Sequence, residues 1–277
     1  MLKKMNQIPH IRSEMRESHC YDDPDRKQTK GEVFSQLQVP PDTPFFVRLD
    51  GRKFKAVAQK LEAERPFDKR FAECLVSSGK ALFQAGFNPA LIYVASDEIN
   101  TLFAYTAPFS RRVEKINSVL AGTVSSAFSL NALKHFKNYL IVAFDSRILM
   151  MPSEKEALEY MTWRQRDMWR NHNNAYAYWM LRKTGCKPSE TAKTLKGLKA
   201  KELHEFLFKR GVNLAGTPCW QRRGILIYRQ PYKKQLETTT VTRWRIKENW
   251  NLPLFTTAEG KALFRQALKW AKPHKKE

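Results

Sequence analysis

The amino-acid sequence predicts an α+β protein, with helices packed on one face of a mostly antiparallel sheet and a basic helical and hairpin region after it. Three observations carry that prediction. Apolar segments between residues 44 and 150 come in the order strand, helix, hairpin, helix, strand. Residues 153–184 then run without Pro or Gly, as a long helix requires. The charge is lopsided as well: residues 161–277 hold 26 Lys+Arg against 8 Asp+Glu, whereas residues 1–160 hold 23 against 19.

The elements follow in chain order. Residues 1–43 are polar, leave through Val39-Pro40-Pro41-Asp42, and are expected to form an N-terminal arm or short helices. Pro44–Asp50 is an apolar run closed by Asp50-Gly51, a buried strand ending in a tight turn. Phe71, Leu75, Val76, Gly79, Leu82 and Phe83 recur at helical spacing before Gly86, which predicts a helix over 69–85. Leu91–Ala95 and Thr101–Tyr105 are strand-like and flank Ser96-Asp97-Glu98, putting an acidic turn at a hairpin tip. Val113, Ile116, Leu120, Val124 and Ala127 mark a helix within 110–133, and Tyr139–Met150 returns to strand. Ser153 with Glu156 resembles a capping box opening the long helix. Helices over 188–197 and 200–209, a basic hairpin from 224–229 and 238–246, and a helix over 258–271 complete the chain. The expected division is therefore an arm (1–43), a catalytic core (44–152) and a basic region (153–277).

The 277 residues carry a formal net charge of +22, yet 42% are hydrophobic and 12% aromatic, which excludes a disordered basic tail. A positive field on a folded body attracts phosphate backbones through counterion release. No apolar run approaches the roughly 20 residues a bilayer crossing takes, and the N-terminus lacks the apolar stretch of a signal peptide. A cytoplasmic protein without a membrane partner is expected. Cys20, Cys74, Cys186 and Cys219 form no CxxC pair, and the six histidines do not fall at ligand spacing near them, which argues against zinc or a disulfide framework.

Asp50 and Asp97 each follow an apolar strand, so antiparallel neighbours bring both tips to one end of the sheet. Two carboxylates so placed can share divalent ions, which in two-metal phosphoryl chemistry lie ~3.5–4 Å apart. Gly51 lets backbone and ion approach closely, and Glu98 points to the other strand face. Taken singly, Asp-Gly and Ser-Asp-Glu are also ordinary turn chemistry. Arg48, Arg52, Lys53, Arg65, Arg111, Arg112 and Lys115 are the cationic candidates; the last three open a helix whose orphan amides suit a triphosphate. Trp163, Trp169, Tyr176, Tyr178 and Trp179 interleave with Arg164, Arg166 and Arg170, a pattern that fits base stacking and equally one buried helical face.

In order, Arg48–Phe54, Arg65–Asp68, Ser96-Asp97-Glu98, Arg111-Arg112 with Lys115, Phe144–Arg147, Pro152-Ser153, Trp163-Arg164-Gln165, Asp167 and Trp179 resemble the tRNA-histidine guanylyltransferase family, most of all its archaeal and bacterial guanylyltransferase-like branch. The resemblance implies a palm-like core akin to that of DNA polymerases, adding nucleotides in the 3′-to-5′ direction at a tRNA 5′ end. It implies two Mg2+ ions on Asp50, Asp97 and the Gly51 carbonyl. Arg48, Arg52, Lys53, Phe54, Arg65, Ser96, Arg111, Arg112 and Lys115 would lie around ATP, GTP or another nucleoside triphosphate, and ATP would activate a 5′-monophosphate. The tRNA acceptor end would meet Arg164, Arg170, Asn171, His172, Arg222, Arg223, Lys233 and Lys234. A homodimer or homotetramer is implied too.

One departure stands out. Where guanylyltransferases proper carry His-Ile-Asn-Asn, this chain has Trp169-Arg170-Asn171-His172. Losing the family's anticodon-linked histidine favours template-directed repair of 5′-truncated tRNAs over histidine-specific guanylate addition. A non-catalytic tRNA-binding protein would need only the basic half, and a nucleotide cyclase would turn over triphosphate without RNA.

Overall fold

The computed structural model describes residues 32–236 and 239–272. Most of the expected N-terminal arm, with Cys20, lies outside them. The chain divides into a short unit, residues 1–36, described only as a turn over 33–36, and a unit of residues 37–277.

The second unit is built on one six-stranded antiparallel sheet in the order β4-β1-β3-β2-β5-β6. Its strands are β1 (Phe45–Gly51), β2 (Leu91–Ala95), β3 (Glu98–Phe103), β4 (Phe144–Met150), β5 (Ile225–Gln235) and β6 (Thr240–Asn249). The helices are α1 (Phe54–Lys60), α2 (Lys69–Gln84), α3 (Val113–Phe136), α4 (Glu154–Lys183), α5 (Pro188–Leu195), α6 (Ala200–Phe208), α7 (Cys219–Arg223) and α8 (Ala258–Ala271). The α+β class is as the sequence predicts.

Alternation along β1 shows how the layers form. Phe45, Val47 and Leu49 enter a core shared with α1, α2 and α3, while Phe46 enters a second core with α4 and α8. Helices on one face therefore hold for α1–α3, and α4 and α8 cover the opposite face. The β5–β6 hairpin extends the same sheet: Ile225–Ile227 pair with β2, and beyond them the hairpin continues as a two-stranded ribbon.

Several boundaries differ from the sequence reading for local reasons. The strand expected over 139–150 starts at Phe144, because its partner β1 ends at Gly51 opposite Phe144 and the Arg52 amide turns to the Ala143 carbonyl. Leu140 and Val142 still point inward. Helix α3 starts at Val113 rather than 110, since Phe109, Ser110 and Arg111 all hold positive φ. Helix α1 was not foreseen: it has seven residues, an N-cap Lys53 in the left-handed region and no side-chain cap. Ser153 does cap α4, its hydroxyl accepting from the Glu156 amide at 3.2 Å.

Gly260, in the first turn of α8, fixes how that helix meets the preceding segment. A Cβ there would lie 2.1 Å from the Leu254 carbonyl oxygen, a backbone atom that cannot rotate away. Gly260→Ala is expected to cost about 3 kcal/mol, the upper part of the range for overpacking. A thermal or urea unfolding midpoint equal to wild type would refute the clash.

Candidate active site

The end of β1 and the tip of the β2–β3 hairpin meet. Asp50 stands opposite Glu98 on β3 and Asp145 on β4, and the Gly51 amide donates to the Asp97 carbonyl at 3.1 Å. Ser96 and Asp97 are the two-residue hairpin loop, with Ser96 at φ +58°, a strained left-handed conformation for a residue bearing a Cβ. Gly51 is needed for packing: a Cβ would fall 2.4–2.7 Å from the Phe54 ring, which fills that space.

The acidic pair is electrostatically costly. Burial pushes the Asp97 carboxyl above the usual carboxylate range; the Asp50 charge adds to this, and Ser96 and Arg164 oppose it. Burial likewise raises Glu98, opposed by Arg164 and reinforced by Asp50. Among the described residues neither Asp50 nor Asp97 is in an ion pair. No cluster of three or more His, Cys, Asp and Glu side chains suited to a metal occurs among them either. Two repelling carboxylates and a backbone carbonyl nevertheless fit Mg2+, which takes hard oxygen ligands, commonly uses one or two carboxylates, and completes its shell with water and substrate phosphate.

Beside Asp97 opens a cleft of about 320 Å³, lined by Arg65, Phe67, Ser96, Asp97, Met168, Asn171 and Trp179 among others. Loop, hairpin tip and α4 thus converge, with the Arg65 guanidinium 5.0 Å over the Trp179 ring. Asn171, expected at a tRNA surface, is exposed and also lines this cleft. Arg48 lies on the α4 side of the sheet, its charge reaching Glu98 and Tyr160. Arg52 and Lys53 are exposed. Phe54 lines the cleft but is a core residue, with its ring 4.8–5.9 Å from those of Phe71, Phe128 and Phe144. Lys115 is exposed in the first turn of α3, and Arg112 is its N-cap. The Arg111 guanidinium is occupied by the Val39 and Thr43 carbonyls, which withdraws it from a triphosphate role.

The expected tRNA residues divide in the same way. Arg164 is buried and bound to Glu98 and Asp167, so it does not face an RNA surface. His172 is also interior: its ring nitrogens lie 3.0 Å from Asn173 Oδ1 and 2.9 Å from Thr217 Oγ1. Arg223 donates to the Leu252 carbonyl at 2.9 Å, and Arg222 is half-buried in the same short helix. Arg170, Lys233 and Lys234 are exposed. The sequence reading passed over Arg243, Arg245 and Lys247. Register places them with Tyr232 and Lys234 on one face of the ribbon, and strand alternation plus the hairpin pairing was the signal that would have found them.

Burial lowers the His172 pKa to about 4 from its ordinary 6.5. The unfolded chain therefore binds the proton first: the stabilising contribution is complete above about 6.5, falls as pH drops toward 4, and is gone below it. His172→Gln is expected to flatten the acid limb of stability between those values. Equal slopes for variant and wild type in urea melts across that range would refute it.

The sequence pattern described as tRNAHis guanylyltransferase matches residues 27–152, and that described as Thg1 C terminal domain matches residues 155–266. The chain belongs to the tRNA(His) guanylyltransferase family. It is thus a nucleotidyltransferase by family. The tRNA(His) guanylyltransferase of Schizosaccharomyces pombe is 30% identical over 200 residues, covering 70% of this chain and 77% of that one. A bacterial tRNA(His) guanylyltransferase-like protein, solved in complex with ATP, superposes with a TM-score of 0.70 at 25% identity, covering 88% of this chain and 98% of the other. The tRNA(His) guanylyltransferase structure from Saccharomyces cerevisiae shares the fold, with a TM-score of 0.65 at 24% identity over 72% and 90% of the two chains. Among the described residues no helix is long and apolar enough to cross a membrane.

Proposed function

We propose that this chain adds nucleotides in the 3′-to-5′ direction at the 5′ end of truncated tRNA, with the opposing 3′ strand as template. The observation that carries the reading is the meeting of Asp50 and Asp97, tied by the Gly51 amide, beside a cleft with room for a nucleotide. Asp50, Asp97 and the Gly51 carbonyl would hold two Mg2+ ions, which when bound supply activation of the attacking oxygen and stabilisation of the leaving one. Arg65 and Ser96 orient the nucleotide from the cleft wall. Arg112 and Lys115 do not line this cleft; they offer cations at the positive end of the 24-residue α3, where phosphate is favoured. The ATP and GTP complexes of the bacterial relative support both nucleotides as substrates, and ATP would serve to activate a 5′-monophosphate.

Trp169 bears on substrate choice. Its indole lies flat against His172, with centroids 5.4 Å apart and planes 10° apart, and beside His204 at 5.3 Å. One face is thus taken up inside the protein, and the indole offers a single N–H donor. A side chain so held is a poor reader of an anticodon base, and Watson–Crick pairing at the acceptor end would choose each nucleotide instead. That fits the guanylyltransferase-like branch. Histidine-specific guanylate addition is the second reading, favoured by the names of the curated relatives. The deciding experiment incubates truncated tRNA with Mg2+ and each triphosphate, first with the anticodon exchanged, then with the template base changed. Extension is expected to survive the exchange, with the preferred triphosphate following the template. Guanylate addition regardless of template, or loss of rate on the exchange, would select the second reading.

A further inference from the structure

We infer that Arg164 is a positioning residue for the carboxylate pair, acting through Glu98. Its guanidinium, 8% exposed, donates from Nη2 to Glu98 Oε1 at 2.7 Å and to Asp167 Oδ2 at 3.1 Å. Glu98 is the residue after Asp97, opens β3, and stands directly across from Asp50 on β1. Asp167 is held from its other oxygen by the exposed Arg170. A line of alternating charges, Glu98, Arg164, Asp167 and Arg170, therefore runs from the base of the catalytic hairpin to the outer surface of α4.

The hairpin tip needs such an anchor. Asp50 and Asp97 repel each other, and the tip between them is a two-residue loop with a strained Ser96. The Gly51 amide to Asp97 carbonyl bond ties the tips, but a single backbone hydrogen bond adds only modestly to the net stability of a fold. Through Nη2 the guanidinium bridges carboxylates on two different elements, and such charge-assisted hydrogen bonds are roughly twice as strong as neutral ones. Carboxylates misplaced by about 1 Å cost roughly 100-fold in rate, so the anchor acts on turnover rather than on nucleotide affinity. The competing account is a buried ion pair of purely structural effect, whose removal changes stability and nothing specific.

This inference rests on the proposed roles of Asp50 and Asp97, so Asp97→Asn is assayed alongside. The variants are Arg164→Met, Arg164→Lys, and Arg164→Met combined with Glu98→Gln, which leaves no unpaired buried charge. Two readouts are taken: kcat and KM for nucleotide addition, and amide hydrogen exchange by NMR without metal or nucleotide. Arg164→Met is expected to lose roughly 100-fold in kcat with KM for the triphosphate unchanged, and Arg164→Lys to recover part of it. The combined variant should regain its unfolding midpoint but not its kcat. In all three the Gly51 amide should exchange faster than in wild type, while Val47 and Leu49 keep their protection. Wild-type kcat with a protected Gly51 amide, or recovery of kcat together with the midpoint in the combined variant, would overturn the inference. An active Asp97→Asn would instead sink the proposed function, leaving the Gly51 exchange to decide the anchor by itself.

Discussion

Asp50→Asn and Asp97→Asn are each expected to lower nucleotide addition by roughly 1,000-fold or more, since charge stabilisation at a metal-assisted phosphoryl transfer is worth several kcal/mol. Tight RNA binding should survive, because the basic ribbon, with four exposed or half-buried cations on one face, lies on other elements. Asn keeps the shape of Asp and removes the charge. At Asp97 that charge is opposed by burial and by Asp50, so the amide relieves repulsion and the variant should unfold at a midpoint no lower than wild type. Lost rate with retained stability separates a functional carboxylate from a structural turn. The measurement is single-turnover extension at saturating Mg2+ with a parallel melt. Near-wild-type rate in either variant would remove the carboxylate pair from the mechanism.

What the sequence made legible, and what it hid, divides along the range of the interactions. The strands and helices around Asp50 and Asp97 could be read because apolar periodicity and Ser153 at its cap are local signals. That both tips meet followed from antiparallel order, and the Gly51 to Asp97 hydrogen bond realises it. Alternation assigned Glu98 to the strand face away from the acidic pair, yet register sets it directly opposite Asp50 and so on the same face as that carboxylate. Its partner was not legible: Arg164 lies 66 residues on, and nothing local distinguishes a cation that reaches a buried carboxylate from one that reaches RNA. The same blindness gave Arg111 to a triphosphate and the buried His172 to an RNA surface. Arg111 is spent on backbone carbonyls of residues 39 and 43, and His172 on Thr217, partners separated by 45 to 72 positions. Burial of polar groups depends on such distant partners, whereas burial of an apolar face repeats every few residues.

The ribbon supplies the other large expected effect. Beyond Ile227 the described residues give the β5–β6 hairpin no neighbour on the β2 side; Tyr228 still packs on Trp270 of α8, but residues 232–236 and 242–245 are exposed to a ligand. Lys234, Arg243, Arg245 and Lys247 share one face with Tyr232, and the Arg245 guanidinium lies 5.6 Å over the Tyr232 ring. Same-face residues along a strand recur about every 6.8 Å, which lets a row of cations follow consecutive phosphates, and the tyrosine offers a flat surface to an unpaired base. The ribbon thus replaces Arg222 and Arg223 as the first place to look for tRNA binding, because their guanidiniums are partly enclosed. Removing one cation from a phosphate reduces the slope of log affinity against log salt by about 0.7 to 0.9. Replacing all four cations by Ala should flatten that slope by roughly 3 and weaken tRNA binding steeply at low salt, with the deficit shrinking as salt rises. Replacing Tyr232 by Ala should weaken binding without changing the slope, since stacking releases no counterions. An unchanged slope in the quadruple variant, measured by filter binding across a salt series, would mean that the ribbon keeps the protein soluble and that tRNA is held elsewhere.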